Sequence, residues 1–339
     1  MTEELKNLCA VSGVSGREAA VAGYIMSKLE GKAQYKVDNL GNIIAFKKGA
    51  KRPKNKVMFA AHMDEVGFII TYITDEGFLK FDTVGGINVS VILGKNVLVG
   101  KKQLSGVVGV KPVHLLKRED ETKYPELDKL YIDIGASSKE EAEAYVSIGD
   151  YAYFDSDYTE FGDGLIKARA IDDRAGCALM LEMIYSDLPY DAYFAFTTCE
   201  ETGDGGAAVA AFTVKPDYAV VLEATTAADI AGVSGEKRVC ELGKGPVVSF
   251  MDRKTIYPKE LYDHIMNTAS ENGIKAQTKT MIAGGNDAGV IFKSGSGVRV
   301  AAVSLPCRYL HSPSCVIKKS DYDETLRLLY AVLPEIAVL

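Results

Sequence analysis

The sequence has six cysteines (Cys9, Cys177, Cys199, Cys240, Cys307, Cys315) but no CxxC pair and no disulfide-like framework among them. That excludes a thiolate metal knuckle and a stapled secreted scaffold. It also lacks any block of Lys and Arg, and its net charge is −7, so nucleic acid is excluded as the main partner. No apolar run is long enough to cross a bilayer, and the acidic, amphipathic start MTEELKNL is no signal peptide. The expectation is a cytoplasmic protein with no membrane partner. What is present is ordinary globular composition over 339 residues, enough for one large α/β domain and a smaller one.

Taken in order, Ser15-Gly-Arg-Glu18 has the spacing of a capping box, with Val21, Ile25 and Leu29 following at helical intervals. VDNLGNIIAFKKG predicts two short strands around a turn. Lys56–Ala61 predicts a buried strand that runs into His62-Met63-Asp64. Two residues apart in extended chain, His62 and Asp64 share a face, and an acid behind a histidine commonly fixes its tautomer. From Gly67 to about Asp163 short alternating segments are punctuated by glycine and charge, which predicts a small all-β barrel or sandwich. The charged stretch 117–129 reads as an exposed excursion within it, and His114 as structural. The α/β pattern resumes at Gly164. The expected division is therefore 1–66 and 164–339 for the α/β domain, with 67–163 inserted into it.

The stretch Phe194–Gly206 organises the second half: an apolar strand runs into a polar turn carrying Glu200 and Glu201. Neighbouring side chains on a strand point apart, but just past its end both carboxylates can turn to one point. Asp172, with Asp173, opens a helix. Tyr218–Leu222 is a buried strand ending at Glu223, and the last strand, Val298–Leu305, leads to His311. His264 lies on a helical face as a bystander. Each motif alone has a bland reading as a cap, a solvated turn or a surface pair. Together they place two histidines and five acids beyond strand ends, where ligands bind in open α/β sheets. Five carboxylates at about 4 Å repel by roughly 4 kcal/mol per pair at an effective dielectric near 20. Two divalent cations would nearly neutralise them, and mixed imidazole and carboxylate donors suit zinc, cobalt or manganese.

In this order HMDEVGF, AIDDRAG, the Glu-Glu pair, LEATTA, GGNDAG and RYLHSP resemble the M42 family of di-metal aminopeptidases, and KPVHLL and IDIGASSKEEA match it within the insertion. The resemblance implies a phosphorylase/hydrolase-like α/β catalytic domain, a mixed sheet flanked by helices. It implies an inserted β domain that serves as lid and dimerisation surface, and homodimers assembling into a tetrahedral dodecamer. By motif, His62 would bind one metal with Glu223 completing that site, and Asp64 would orient His62. Asp172 would bridge both metals, Glu201 and His311 would hold the second, and Glu200 would be the general base. A cis peptide bond between Asp172 and Asp173 is implied as well. The substrates would be peptides with a free N-terminus.

The chain departs from the family pattern at Cys199, where Gln is common, at Ser314-Cys315, where an acid usually follows the last motif, and at Glu223, where many members have Asp. Glutamate at that place accompanies carboxypeptidases and deacylases among related di-metal enzymes, which keeps those activities as an alternative. An endoglucanase would not need the two histidines or the bridging acid. A non-catalytic scaffold would be favoured by lost ligands, and none is missing.

Overall fold

The computed structural model describes residues 2–118 and 123–339. Strands β1 (Gln34–Val37), β2 (Ile43–Lys47) and β3 (Val57–His62) open the chain. They are followed by β4 (Gly67–Ile73), β5 (Leu79–Val84), β6 (Asn96–Val99), β7 (Leu104–Gly109), β8 (Tyr131–Asp133) and β9 (Tyr151–Phe154). Then come β10 (Thr159–Phe161), β11 (Leu165–Ala168), β12 (Ala192–Thr197), β13 (Tyr218–Thr226), β14 (Val247–Val248), β15 (Gln277–Thr278), β16 (Arg299–Cys307) and β17 (Cys315–Lys318).

Eight of these strands form one mixed sheet in the order β1-β2-β12-β3-β13-β16-β14-β15. Its centre, β12 to β16, is parallel, and its strands are buried on both faces. This explains their near-continuous apolar sequence. Alternation still sorts the side chains. Val57, Phe59 and Ala61 of β3 join the core under the helix Ile171–Tyr185, while Met58 and Ala60 join the smaller core on the other face. On β13, Val220 and Leu222 take the first face and Ala219 and Val221 the second. By the same parity His62 and Glu223 both continue the second face.

The segment between β3 and β10 is a closed six-stranded barrel in the order β4-β5-β8-β7-β6-β9, with its own core. Phe68 lies edge-on to Phe81 and Phe154 at its centre. An aromatic of this size fills the middle of a small barrel and leaves no lumen. The excursion expected at 117–129 falls partly on 119–122, outside the described residues; His114 is exposed in the short turn Val113–Leu115.

Two local expectations are corrected. The first helix of the capping-box segment begins at Ala19, with no side-chain cap. Ser15 Oγ instead meets Thr202 Oγ1 at 3.0 Å, and Glu18 accepts from the Gly16 N–H at 2.8 Å, so tertiary and turn partners outcompete the cap. Strand β13 does not stop at Leu222 but runs to Thr226, because β16 pairs with it all the way. On the β3 side the pairing ends at Val221, so Glu223 is free along one flank though inside a strand.

Candidate active site

Strand ends position His62 and the Glu-Glu turn, while Glu223 lies within β13, Asp172 opens a helix and His311 sits on a turn. His62 is the last residue of β3, paired with Thr197 of β12. Its Nδ1 is 3.1 Å from the Asp64 carbonyl oxygen and 3.5 Å from Asp64 Oδ1. A proton on Nδ1 satisfies that carbonyl and leaves the Nε2 lone pair aimed at the cluster. Nε2 is buried and has no hydrogen-bond partner, and Glu223 Oε1 is in the same condition. A buried polar atom left so is costly unless something binds it. Asp64 does more than steady the imidazole: its two oxygens accept the backbone N–H groups of Glu200 (3.1 Å) and Glu201 (3.2 Å). One carboxylate therefore fixes the histidine and the turn that carries both glutamates.

Asp172 sits where the helix Ile171–Tyr185 begins, in a stretch with non-helical backbone, and the bond between it and Asp173 is cis. Its Oδ1 lies 3.5 Å from His62 Nε2 and its Oδ2 3.4 Å from His311 Nε2. Glu223 Oε2 approaches His62 Nε2 to 3.8 Å, and Glu201 Oε1 approaches His311 Nε2 to 3.4 Å. Two ligand sets result, His62–Asp172–Glu223 and Asp172–Glu201–His311, and they share Asp172. A third grouping, His62–Glu200–Glu201, brings Glu200 to the same place. Each set offers one imidazole and two carboxylates, a donor mix that fits a divalent transition metal. All seven residues singled out in the sequence thus converge, with Asp64 one step behind the rest.

The electrostatics are those of a site short of positive charge. Burial drives Glu200 up to about 9, partly opposed by His62 and reinforced by Asp287, Glu201 and Asp172. Burial also takes Glu201 up to about 7, against the pull of His311. Burial works against a charge on His311, yet Asp172 and Glu201 carry its pKa up to about 10. Protons do here what a cation would do.

Several residues were not legible as parts of the site. His311 Nδ1 is 2.8 Å from the carbonyl oxygen of Gly86, which belongs to the barrel segment. The neighbouring Gly85 has φ +82, and a Cβ there would meet Val66 at 2.8 Å and Glu201 at 3.2–3.3 Å. The backbone therefore passes the ligands at a distance only glycine permits. Three residues past His62 in the chain, buried Glu65 accepts from the Gly13 N–H at 2.9 Å and pairs with Arg169 and Arg174. Asp287 of GGNDAG accepts from Thr197 Oγ1 at 2.6 Å, next to the Glu-Glu turn. Glu65, Arg174 and Asp287 all lie inside the motifs quoted above, which was the available signal.

Comparison with known proteins agrees with this geometry. The family model described as M42 glutamyl aminopeptidase matches residues 41–328. A relative from Acetivibrio thermocellus, named as an aminopeptidase, is 39% identical over 332 residues, covering 97% of each chain. An aminopeptidase structure from Desulfurococcus kamchatkensis superimposes with a TM-score of 0.93 at 33% identity, over 98% of this chain and 94% of that one. The TET1 peptidase of Pyrococcus horikoshii, which can assemble into a tetrahedron or a large octahedral shell, has a TM-score of 0.87 at 34% identity, over 97% and 98%. With metal dependence typical of that family and ligand sets able to hold metal, the chain belongs to the M42 metallo-aminopeptidases.

Proposed function

We propose that the chain removes N-terminal residues from peptides with two divalent cations, one held by His62, Asp172 and Glu223 and the other by Asp172, Glu201 and His311. The observation that carries this reading is the stance of Asp172, whose two oxygens face the two histidines separately at 3.5 and 3.4 Å. Zinc, cobalt and manganese all suit the donors. Bound there, such cations supply Lewis acidity that lowers the pKa of a water and polarises a peptide carbonyl.

Glu200 is the general base. It lies within the cluster and belongs to neither of the two ligand sets that share Asp172. With positive charge beside it, its carboxyl ionises near neutral pH. It accepts the proton of the attacking water and returns it to the departing amine as the C–N bond breaks. Asp64 holds Glu200 in place through the backbone and His62 through Nδ1. The acids that remain unneutralised favour a positively charged group nearby, which suits a free peptide N-terminus.

The division 1–66, 67–163 and 164–339 follows the same reading: a catalytic α/β unit in two pieces with the barrel between them. As in the shell-forming relative, the chain would associate with copies of itself, through the barrel in pairs and then as a tetrahedral dodecamer, and act on cytoplasmic peptides. The test is a panel of amino-acid anilides after exhaustive demetallation and after return of cobalt, zinc or manganese, with mass measured by light scattering. Activity should vanish and come back, and full activity without metal would refute the reading.

A further inference from the structure

A cavity of about 160 Å³ opens directly off the candidate site. Asp172, Glu200, Glu223 and His311 form its inner wall. Its outer wall includes Ala224, Thr226, Val239, Asn286 and Leu310, which are apolar or neutral, and one cation, Lys279. The lysine follows the edge strand β15, and its backbone N–H bonds to the Val248 carbonyl at 3.2 Å, so the sheet edge holds its Cα in place.

Lys279 Nζ donates to the Ala283 carbonyl at 2.8 Å. That accounts for one of the three N–H donors of an ammonium group. No carboxylate oxygen of the described residues lies within ion-pair distance of it. The nearby acids are otherwise engaged. Asp252 accepts from the N–H groups of Lys254 (2.7 Å) and Thr255 (2.8 Å) and from the Tyr257 hydroxyl (2.6 Å). Glu223 faces His62. Burial lowers the Lys279 pKa, and Asp252 and Glu223 only partly restore it. A half-buried ammonium with free donors, at the rim of a cavity that begins at the reacting centre, is built to meet an anion.

We propose that Lys279 is the receptor for a substrate carboxylate and so a specificity-determining residue. This rests on the peptidase reading for the identity of the reacting bond, but not for the pocket. A peptide offers a carboxylate from two sources at this range: an acidic first side chain, or the C-terminus of a very short peptide. Both would fill the cavity and pair with the same ammonium.

The experiment uses the metal-loaded full chain and four substrates: glutamyl and glutaminyl p-nitroanilide, leucyl-glycine and leucyl-glycinamide. Each pair differs by one carboxylate. The wild type should favour the carboxylate-bearing member of at least one pair in kcat/KM. Lys279→Met should reduce that preference about 10- to 100-fold, the span of a hydrogen bond to a charged group, and Lys279→Arg should restore much of it. A fall in the anilide ratio assigns the side chain, and a fall in the dipeptide ratio assigns the C-terminus. No preference in the wild type, or ratios unmoved by Lys279→Met, would overturn the proposal. Calorimetry with glutamate against glutamine reads the side-chain arm without turnover. If none of the four substrates were cleaved but Lys279→Met still erased that discrimination, the carboxylate pocket would stand and the peptidase reading would fall.

Discussion

The two ends of the site are built by different means. His62 is the terminal residue of a central strand, its side chain 1% exposed, fixed by the Asp64 carbonyl two residues on. His311 sits on a turn with φ +56, its side chain 29% exposed, and its fixed partner is the carbonyl of Gly86, far away in sequence and part of the barrel segment. One end is held by the sheet, which is the most stable part of an α/β unit. The other is held by two loops from different parts of the chain. Rigid elements position ligands more tightly than loops do. The lesson is that a symmetric ligand list can hide an asymmetric scaffold: each end offers one histidine and two carboxylates, but only one end is independent of the barrel.

The largest expected effect lies where the ends meet. Asp172→Asn removes a shared carboxylate and should strip metal from both ends and abolish activity. Glu200→Gln, at an acid in neither set, should lower kcat by about 10²–10⁴ with both metals retained. Metal analysis beside steady-state kinetics separates the two. Metal loss in the Glu200 variant with retention in the Asp172 variant would reverse the roles.

Next comes the asymmetry itself. Dialysis against a chelator should remove metal in two steps, with the faster loss from the His311 end. His311→Ala should leave one tightly held ion per chain, whereas His62→Ala should disturb the buried end. Equal exchange rates at the two ends would break the comparison. A smaller effect is expected from the barrel side. Gly85→Ala introduces a Cβ against Val66 and Glu201 at a positive φ. It should weaken metal binding at the His311 end about 10-fold, within the range for residues that position a ligand, and leave the other end unaffected. Loss at both ends would mean that the barrel supports the whole site.

This asymmetry also explains what the sequence could and could not reveal. Strand-end residues such as His62 and the Glu-Glu turn are visible because apolar runs mark the strands and polarity marks their ends. The barrel is visible because its strands alternate. Glu223 was placed at a strand end only because the pairing of β13 with β16 past Leu222 is a long-range fact. The Gly86 contact was invisible for the same reason: a backbone carbonyl carries no residue signature, and a sequence separation of 225 from His311 leaves no local pattern. The second role of Asp64, holding two backbone N–H groups, depends on how a turn folds back and not on residue type.

The smallest prediction concerns the ion-free protein, and its sign can be worked out. Glu201 and Glu200 titrate in the folded, ion-free site at about 7 and about 9, above the ordinary range of an exposed glutamate. A group whose folded pKa is raised stabilises the fold below its unfolded pKa, and that stability is lost as pH rises through the folded value. His311, raised to about 10, contributes with the same sign. Asp172 is held below the ordinary carboxylate range, because the two histidines outweigh its burial, so its opposite contribution is lost only in acid, below about pH 4. Ion-free protein should therefore melt at progressively lower temperature from about pH 5 to pH 9, by on the order of a few degrees. Metal-loaded protein should lack that slope, since cations replace the protons, and loading near pH 8 should release protons measurable by calorimetry in buffers of different ionisation enthalpy. The asymmetry sharpens the test: Glu201 serves the loop end, so its share of the slope, from about pH 5 to pH 7, should disappear on filling that end. In His311→Ala with one ion bound it should persist and extend to higher pH, because the imidazolium that pulls Glu201 down is gone. A flat melting profile in the ion-free protein, or metal uptake without proton release, would contradict the view that Glu200 and Glu201 hold protons in the ion-free site that a cation displaces.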